Sequence, residues 1–243
     1  MKKLILLTGI FILSFTSANA QWWSNQKVTG NKEVVKQTRS VNEYDRIAVT
    51  GMMEVQLVAG KEGKIDLEAE GNLMEFIETE VSGGLLKIGV KKGVNLQPSK
   101  NYPIKLIVTF EDLDGLTLTG SGHIRNSDPI TARDFRVSVT GSGNMNLDIK
   151  TETFDGSLTG SGDVKLKGST RDLKCKITGS GDFLAFDFKA ETVTASVTGS
   201  GDIEVSVENE LNANVSGSGD IKYMGDPAKQ SFKTSGSGKV TKK

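Results

Sequence analysis

Val197-Thr198-Gly199-Ser200-Gly201-Asp202-Ile203 decides how this chain folds, because the same phrase returns along it with little change. Leu158-Thr159-Gly160-Ser161-Gly162-Asp163-Val164 and Ile177-Thr178-Gly179-Ser180-Gly181-Asp182-Phe183 repeat it. The Gly-Ser-Gly centre occurs seven times, beginning at Gly120, Gly141, Gly160, Gly179, Gly199, Gly217 and Gly236, in steps of 21, 19, 19, 20, 18 and 19 residues. Helical repeats need roughly 33 to 47 residues, whereas these steps match one turn of a β-solenoid.

The residues around each tripeptide keep register. Two before the first glycine stand Leu118, Val139, Leu158, Ile177, Val197, Val215 and Thr234, and four after it Ile124, Met145, Val164, Phe183, Ile203, Ile221 and Val240. Polar residues separate these columns from the next apolar ones, which is the alternation of a half-buried strand. Each Gly-Ser-Gly therefore reads as a bend between two short strands, where glycine accepts positive φ and lets stacked backbones approach. Antiparallel hairpins closed by Gly-Ser-Gly turns are the competing reading and would give a barrel or propeller. Hairpins, however, repeat in pairs of strands and would not keep every bend chemically identical.

One coil could not stand alone. Ordering about 19 residues costs roughly 30 kcal/mol, and about five inward side chains return only about 1.5 to 3 kcal/mol each. Stacking at about 4.8 Å supplies the missing burial and pairs the backbone. The expected fold is all-β: a parallel β-helix, or β-solenoid, with Gly-Ser-Gly-marked coils.

Working outward, residues 116–243 form the regular coils and residues 41–115 irregular ones of the same single domain. Ile47 to Leu57 fits the columns with Gly51-Met52-Met53 in place of Gly-Ser-Gly. Strands are expected at Ile65–Glu70, Leu85–Val90 and Ile104–Phe110, a loop at Lys91–Pro103, and one helical turn at Asn72–Ile77. Residues 21–40 are polar and expected to be mobile in part.

The first twenty residues read as a secretory signal: Lys2 and Lys3, an apolar run of 12 residues from Leu4 to Phe15, and Ala18-Asn19-Ala20 as the cleavage pattern. Cleavage before Gln21 leaves no cysteine there for a lipid anchor, and no segment approaches the roughly 20 apolar residues of a membrane span. Without residues 1–20 the 30 basic residues fall to 28 against 30 acidic, a formal charge of −2. That balance argues against a nucleic-acid partner, whose phosphates are held by basic contacts. The single cysteine, Cys175, excludes an intrachain disulfide, so the core and the hydrogen-bond ladders must hold the fold.

The signal, the leading strand ending in a glycine bend, the Leu85-Leu86-Lys87-Ile88 strand, the serial V-T-G-S-G-D-I steps and the closing Ile221-Lys222-Tyr223-Met224-Gly225-Asp226-Pro227 together resemble the bacterial head-GIN-domain family of auto-transporter adhesins. The resemblance covers about residues 41 to 243 and implies a right-handed parallel β-helix head. Because the Gly-Ser-Gly steps run almost to Lys243, the expectation is the head-like part without a translocator barrel.

The position after the bend holds His123, Asn144, Asp163, Asp182, Asp202, Asp220 and Lys239. Asp163, Asp182, Asp202 and Asp220 on successive rungs could ligate calcium through carboxylate oxygens, or could hydrogen-bond the bend backbone as turn aspartates do; the turn role is the preferred reading. Carboxylates near 5 Å apart would also suit a retaining glycosidase, but these four share near-identical contexts with few aromatics to stack a sugar. His123 takes a turn position, and Cys175 shares its column with Val137 and Ala195 as a small buried hydrophobe. The hydroxyl column Thr119, Thr140, Thr159, Thr178, Thr198, Ser216 and Ser235 could bind ice, yet its outward neighbours Lys176, Asn214 and Lys233 are mixed, which favours cross-rung packing.

The expectation is an exported noncatalytic scaffold, in the periplasm, at the cell surface or outside the cell, that binds a surface ligand, glycan or protein. It needs no cofactor, and its end strands leave room for a homo-oligomer. A polysaccharide-active enzyme is the main alternative, with an ice-binding solenoid behind it.

Overall fold

The computed structural model describes residues 26–243; the signal sequence read over residues 1–20 lies outside them. The irregular part carries β1 (Gln26–Thr29), β2 (Val34–Ser40), β3 (Arg46–Gly51), β4 (Glu54–Ala59) and β5 (Lys64–Glu70). A 3-10 helix over Gly71–Phe76 leads to β6 (Ile77–Ser82), β7 (Leu85–Val90), β8 (Val94–Gln97) and β9 (Lys105–Phe110). The regular part runs through β10 (Gly115–Gly120), β11 (His123–Asn126), β12 (Ile130–Gly141), β13 (Asn144–Gly160) and β14 (Val164–Gly179). It ends with β15 (Phe183–Gly199), β16 (Ile203–Gly217), β17 (Ile221–Met224), β18 (Lys229–Gly236) and β19 (Val240–Lys242).

The chain is a β-solenoid. Each coil pairs in parallel with the next, so that Thr140, Thr159, Thr178, Thr198 and Ser216 lie in one register column. The apolar columns point inward as their alternation requires: Leu118, Val139, Leu158, Ile177, Val197 and Val215 are all buried, as are Ile124, Met145, Val164, Phe183, Ile203 and Ile221. Where short strands were expected, the ladder instead continues from one bend to the next, giving β13 and β15 17 residues each. The 20-residue step is absorbed by a register shift between Lys165 and Lys167, opposite Leu184 and Asp187. Gly156 interrupts an inward column because a Cβ there would lie 2.7 Å from the Phe183 ring and 2.8 Å from that of Phe154. The space feeds an aromatic cluster in which Phe154 meets Phe188 at 5.4 Å and Phe135 at 6.3 Å.

The bends explain their glycines. First glycines sit at φ between +116° and +131° from Gly141 to Gly217, a region that side chains disfavour. In Gly160, Gly179, Gly199 and Gly217 a Cβ would also overlap the carbonyl oxygen of the glycine one rung below. Those carbonyls accept the next rung's serine N–H, as in Ser161 to Gly141 at 2.9 Å and Ser200 to Gly179 at 2.8 Å.

The Gly-Met-Met coil belongs to the same stack, with β3 parallel to β10 and β4 parallel to β11. β7 then adds to β3 and β9 to β4 in parallel, after which pairing turns antiparallel: β6 on β7, β5 on β9, and β2 on β5. Of residues 21–40, expected to be partly mobile, the described ones from Gln26 on include β1 and β2. The expected loop at 91–103 contains β8, which pairs with β1. Leu73 and Met74 of the helix and Leu96 of β8 join the core at this end, whereas all eight residues of β18 at the other end are exposed.

Candidate ligand trough and carboxylate ladder

The outward side chains of the post-bend strands do not face a flat surface throughout. β5 and β2 carry the sheet beyond β9, and a hollow of about 1080 Å³ lies against the outer face from β2 across to Leu184 of β15. Its floor follows from strand alternation. Val55, Leu57, Ile124, Met145 and Val164 turn into the core, which directs Glu54, Gln56, His123, Arg125, Asn146 and Lys165 outward. Register sets them in two columns: Glu54, His123 and Asn144 in one, Gln56, Arg125, Asn146 and Lys165 in the other. The wall comes from Lys36 and Thr38 of β2, Asp66 and Glu68 of β5, and Lys105 and Ile107 of β9.

Wall and floor differ in how far their polar groups are already engaged. In the wall, Glu68 pairs with Lys36 at 3.2 Å and Lys105 at 3.7 Å, and the Thr38 hydroxyl donates to Asp66 at 2.6 Å. On the floor, Gln56 donates to the Ser127 hydroxyl. Among the described residues, the side chains of Glu54, His123, Arg125, Asn146 and Lys165 make no hydrogen bond or ion pair with protein. A rigid sheet thus presents unspent donors and acceptors on successive rungs. Ile107, 47% exposed, adds an apolar spot beside them.

The four aspartates form a second device. Asp163 N–H donates to Asn144 Oδ1 at 2.8 Å, Asp182 N–H to Asp163 Oδ1 at 3.1 Å, and Asp202 N–H to Asp182 Oδ1 at 2.9 Å. Asp220 N–H continues to Asp202 Oδ1 and Lys239 N–H to Asp220 Oδ1, both at 2.8 Å. One oxygen of each carboxylate therefore substitutes for a backbone acceptor where the bend breaks the main-chain ladder. Lys222 also reaches Asp202 at 3.4 Å, while Asp163 borders the trough. No group of three or more His, Cys, Asp or Glu is arranged to hold a metal among the described residues.

His123 takes its bend position, its N–H donating to the Met53 carbonyl at 2.9 Å, and its ring lines the trough. Cys175 is buried, and desolvation pushes its thiol up to about 12. It is therefore neutral and inert at ordinary pH. The threonine column is exposed, on the other side of the bend from the aspartates. Arg125 and Asn146 went unremarked in the sequence. The signal was their column, five residues after the first glycine, but nothing in it announces the wall that β2, β5 and β9 build opposite.

Comparison with protein families matches residues 43–227 to the model described as "Putative auto-transporter adhesin, head GIN domain". Among solved structures, a "putative adhesin" of Bacteroides fragilis aligns at 23% identity and TM-score 0.84, over 89% of this chain and 100% of that one. A "putative lipid binding protein" of Parabacteroides distasonis aligns at 27% identity and TM-score 0.76, over 90% and 100%. A "putative adhesin" of Parabacteroides merdae aligns at 19% identity and TM-score 0.72, over 90% and 99%. Comparison with curated proteins finds no match.

Proposed function

On the footing that this chain belongs to the head GIN domain family of auto-transporter adhesins, we propose that it is an exported, noncatalytic scaffold that captures a ligand at the cell envelope in the trough. The observation that carries this reading is the row of unspent side chains on the floor. Polar groups without protein partners in a concave, rigid site are what a binding surface needs. The adhesin family fits a surface role. Among the described residues no helix is long and apolar enough to cross a membrane.

The polysaccharide-active alternative would require two carboxylates flanking one glycosidic bond. Glu54 and Asp163, the floor carboxylates of one column, stand three rungs apart, roughly 14 Å at about 4.8 Å per rung. Glycosidase pairs lie about 5 to 9.5 Å apart. Asp66 and Glu68 in the wall, about 7 Å apart along β5, and neighbouring aspartates further along the ladder satisfy that distance. The wall pair, however, is engaged by Thr38, Lys36 and Lys105, and each ladder aspartate already supports the next rung's backbone.

Cell fractionation with surface proteolysis tests export. Adsorption of the purified mature chain to isolated envelopes tests capture. Arg125→Ala with Lys165→Ala is expected to reduce adsorption about tenfold or more, and Thr178→Ala, on the other side of the bend, to leave it unchanged. Adsorption indifferent to both changes would remove the trough from the account, and turnover of a polysaccharide would restore the enzyme.

A further inference from the structure

Resting on the trough reading above, we propose that its occupant is a neutral oligosaccharide chain. The first argument concerns what the floor cannot offer. β4 lies between β11 and β9, β11 between β4 and β13, β13 between β11 and β14, and β14 between β13 and β15, so every floor strand is hydrogen-bonded on both sides. A peptide lying on the floor would find no backbone edge there for its own N–H and C=O groups; among the lining strands the open edge is that of β2, which pairs with β5 alone and stands in the wall. Recognition on the floor must pass through side chains.

Those side chains alternate in kind. Arg125 and Lys165 only donate, Glu54 only accepts, and Asn146 and Gln56 do both. A sugar hydroxyl also donates and accepts and rotates to suit, so a polyhydroxylated chain lying along the rungs can satisfy every one of them. The charges set the ligand's own charge. Four Lys or Arg and four Asp or Glu are among the described lining residues, a formal balance of zero, which selects neither a polyanion nor a polycation. Ile107, with Val58 further along the neighbouring strand, provides a small apolar shelf for the C–H face of a ring. The charges around that shelf oppose burial of an acyl chain. At about 1080 Å³ the hollow is slightly above the range that holds a single drug-sized molecule, which suits several linked rings.

The test uses the mature chain on an array of neutral and uronate-containing oligosaccharides, followed by calorimetry with the best neutral hexasaccharide. The expected result is binding that changes less than about threefold between about 0.05 and 0.5 M salt. It should weaken about tenfold or more in Arg125→Ala/Asn146→Ala, with the melting temperature unchanged. Ile107→Ala should weaken it as well, and Thr178→Ala should not. Binding only to uronate chains with steep salt dependence, or only to phospholipid vesicles, would overturn the inference. So would envelope adsorption that is lost in Arg125→Ala but that neutral oligosaccharides fail to compete; the trough would then stand with an occupant of another class. If neither adsorption nor oligosaccharide binding responds to the trough variants, the trough and its proposed occupant fall together.

Discussion

Residues 116–243 and residues 26–115 solve the same problem, burying apolar strand faces, in opposite ways. In the regular part every coil repeats its neighbour, the pairing is parallel throughout, and the end coil is left open with β18 fully exposed. In the irregular part the pairing switches to antiparallel, a helix and a two-stranded ribbon cover the core, and a charged residue, Glu70, is completely buried. Repetition gives a rod with uniform faces. Where the early strands leave the repeat the surface becomes concave, so the trough takes its floor from both parts and its wall from the irregular one.

The sharpest way to break this comparison is to attack the repeat itself. Gly199→Val should lower the melting temperature by about 10 °C or more, because valine resists φ of +129° and its Cβ would overlap the Gly179 carbonyl. Ser161→Ala, at an exposed bend tip, should shift it by no more than about 2 °C. Gly201→Ala separates the two causes. Gly201 is not in the positive-φ region, yet a Cβ there would overlap the Gly181 carbonyl, so a large loss would be steric alone. Equal melting for all these variants and the wild type would contradict the stacking account.

The irregular part is expected to respond to acid instead. Glu70 Oε1 accepts the Lys32 N–H at 2.5 Å and Oε2 the Ser99 N–H at 2.7 Å, tying the β1–β2 loop and the segment after β8 to the end of β5. Burial pushes the Glu70 carboxyl up, but the bonds from Ser99, then the bond and charge of Lys32, outweigh it and hold the group below the usual carboxylate range. A carboxylate depressed in the folded state stabilises fully above its unfolded value of about 4.3, and that contribution is lost as pH falls through the folded value. Glu70→Gln should therefore melt about 5 °C below wild type at neutral pH, with the gap closing below about pH 4. A gap that stays constant down to pH 3 would show that shape, not charge, holds this cap.

How much of this was legible follows from the same contrast. The coil columns could be read because each inward residue is confirmed by others one period away, and strands such as Leu85–Val90 because their alternation is clear. β2 could not be. Val34 and Val35 are exposed, and the strand exists only because its backbone pairs with β5 from Ser40–Lys64 to Val34–Glu70. β8, four residues long, likewise depends on β1. Glu70 was one glutamate at a strand end, and nothing local says that Lys32 and Ser99 converge on it. The aspartate column was visible, whereas the direction of its hydrogen bonds, from each rung's N–H to the carboxylate below, needed the bend geometry.

The smallest expected effect lies in that column, and the chain contains its own control. Asn144 occupies the first ladder position and its Oδ1 accepts the Asp163 N–H at 2.8 Å, as Asp182 Oδ1 does for Asp202 at 2.9 Å. An amide oxygen therefore does the same structural work as a carboxylate oxygen. Neighbouring carboxylates about 5 Å apart repel by up to about 3 kcal/mol at an effective dielectric near 20, less where water screens them. Asp182→Asn keeps the acceptor and removes one charge, so melting should stay within about 2 °C of wild type or rise slightly. Asp182→Ala removes the acceptor, leaves the half-buried Asp202 N–H without its partner, and should cost about 1 kcal/mol. Calcium at millimolar concentration should leave melting unchanged, since one oxygen of each carboxylate is already committed to the backbone. A rise of many degrees in calcium, reversed by chelator and abolished in Asp182→Asn/Asp202→Asn, would instead make the column a metal ladder. The stiffness of the regular coils would then depend on a cation as well as on glycine.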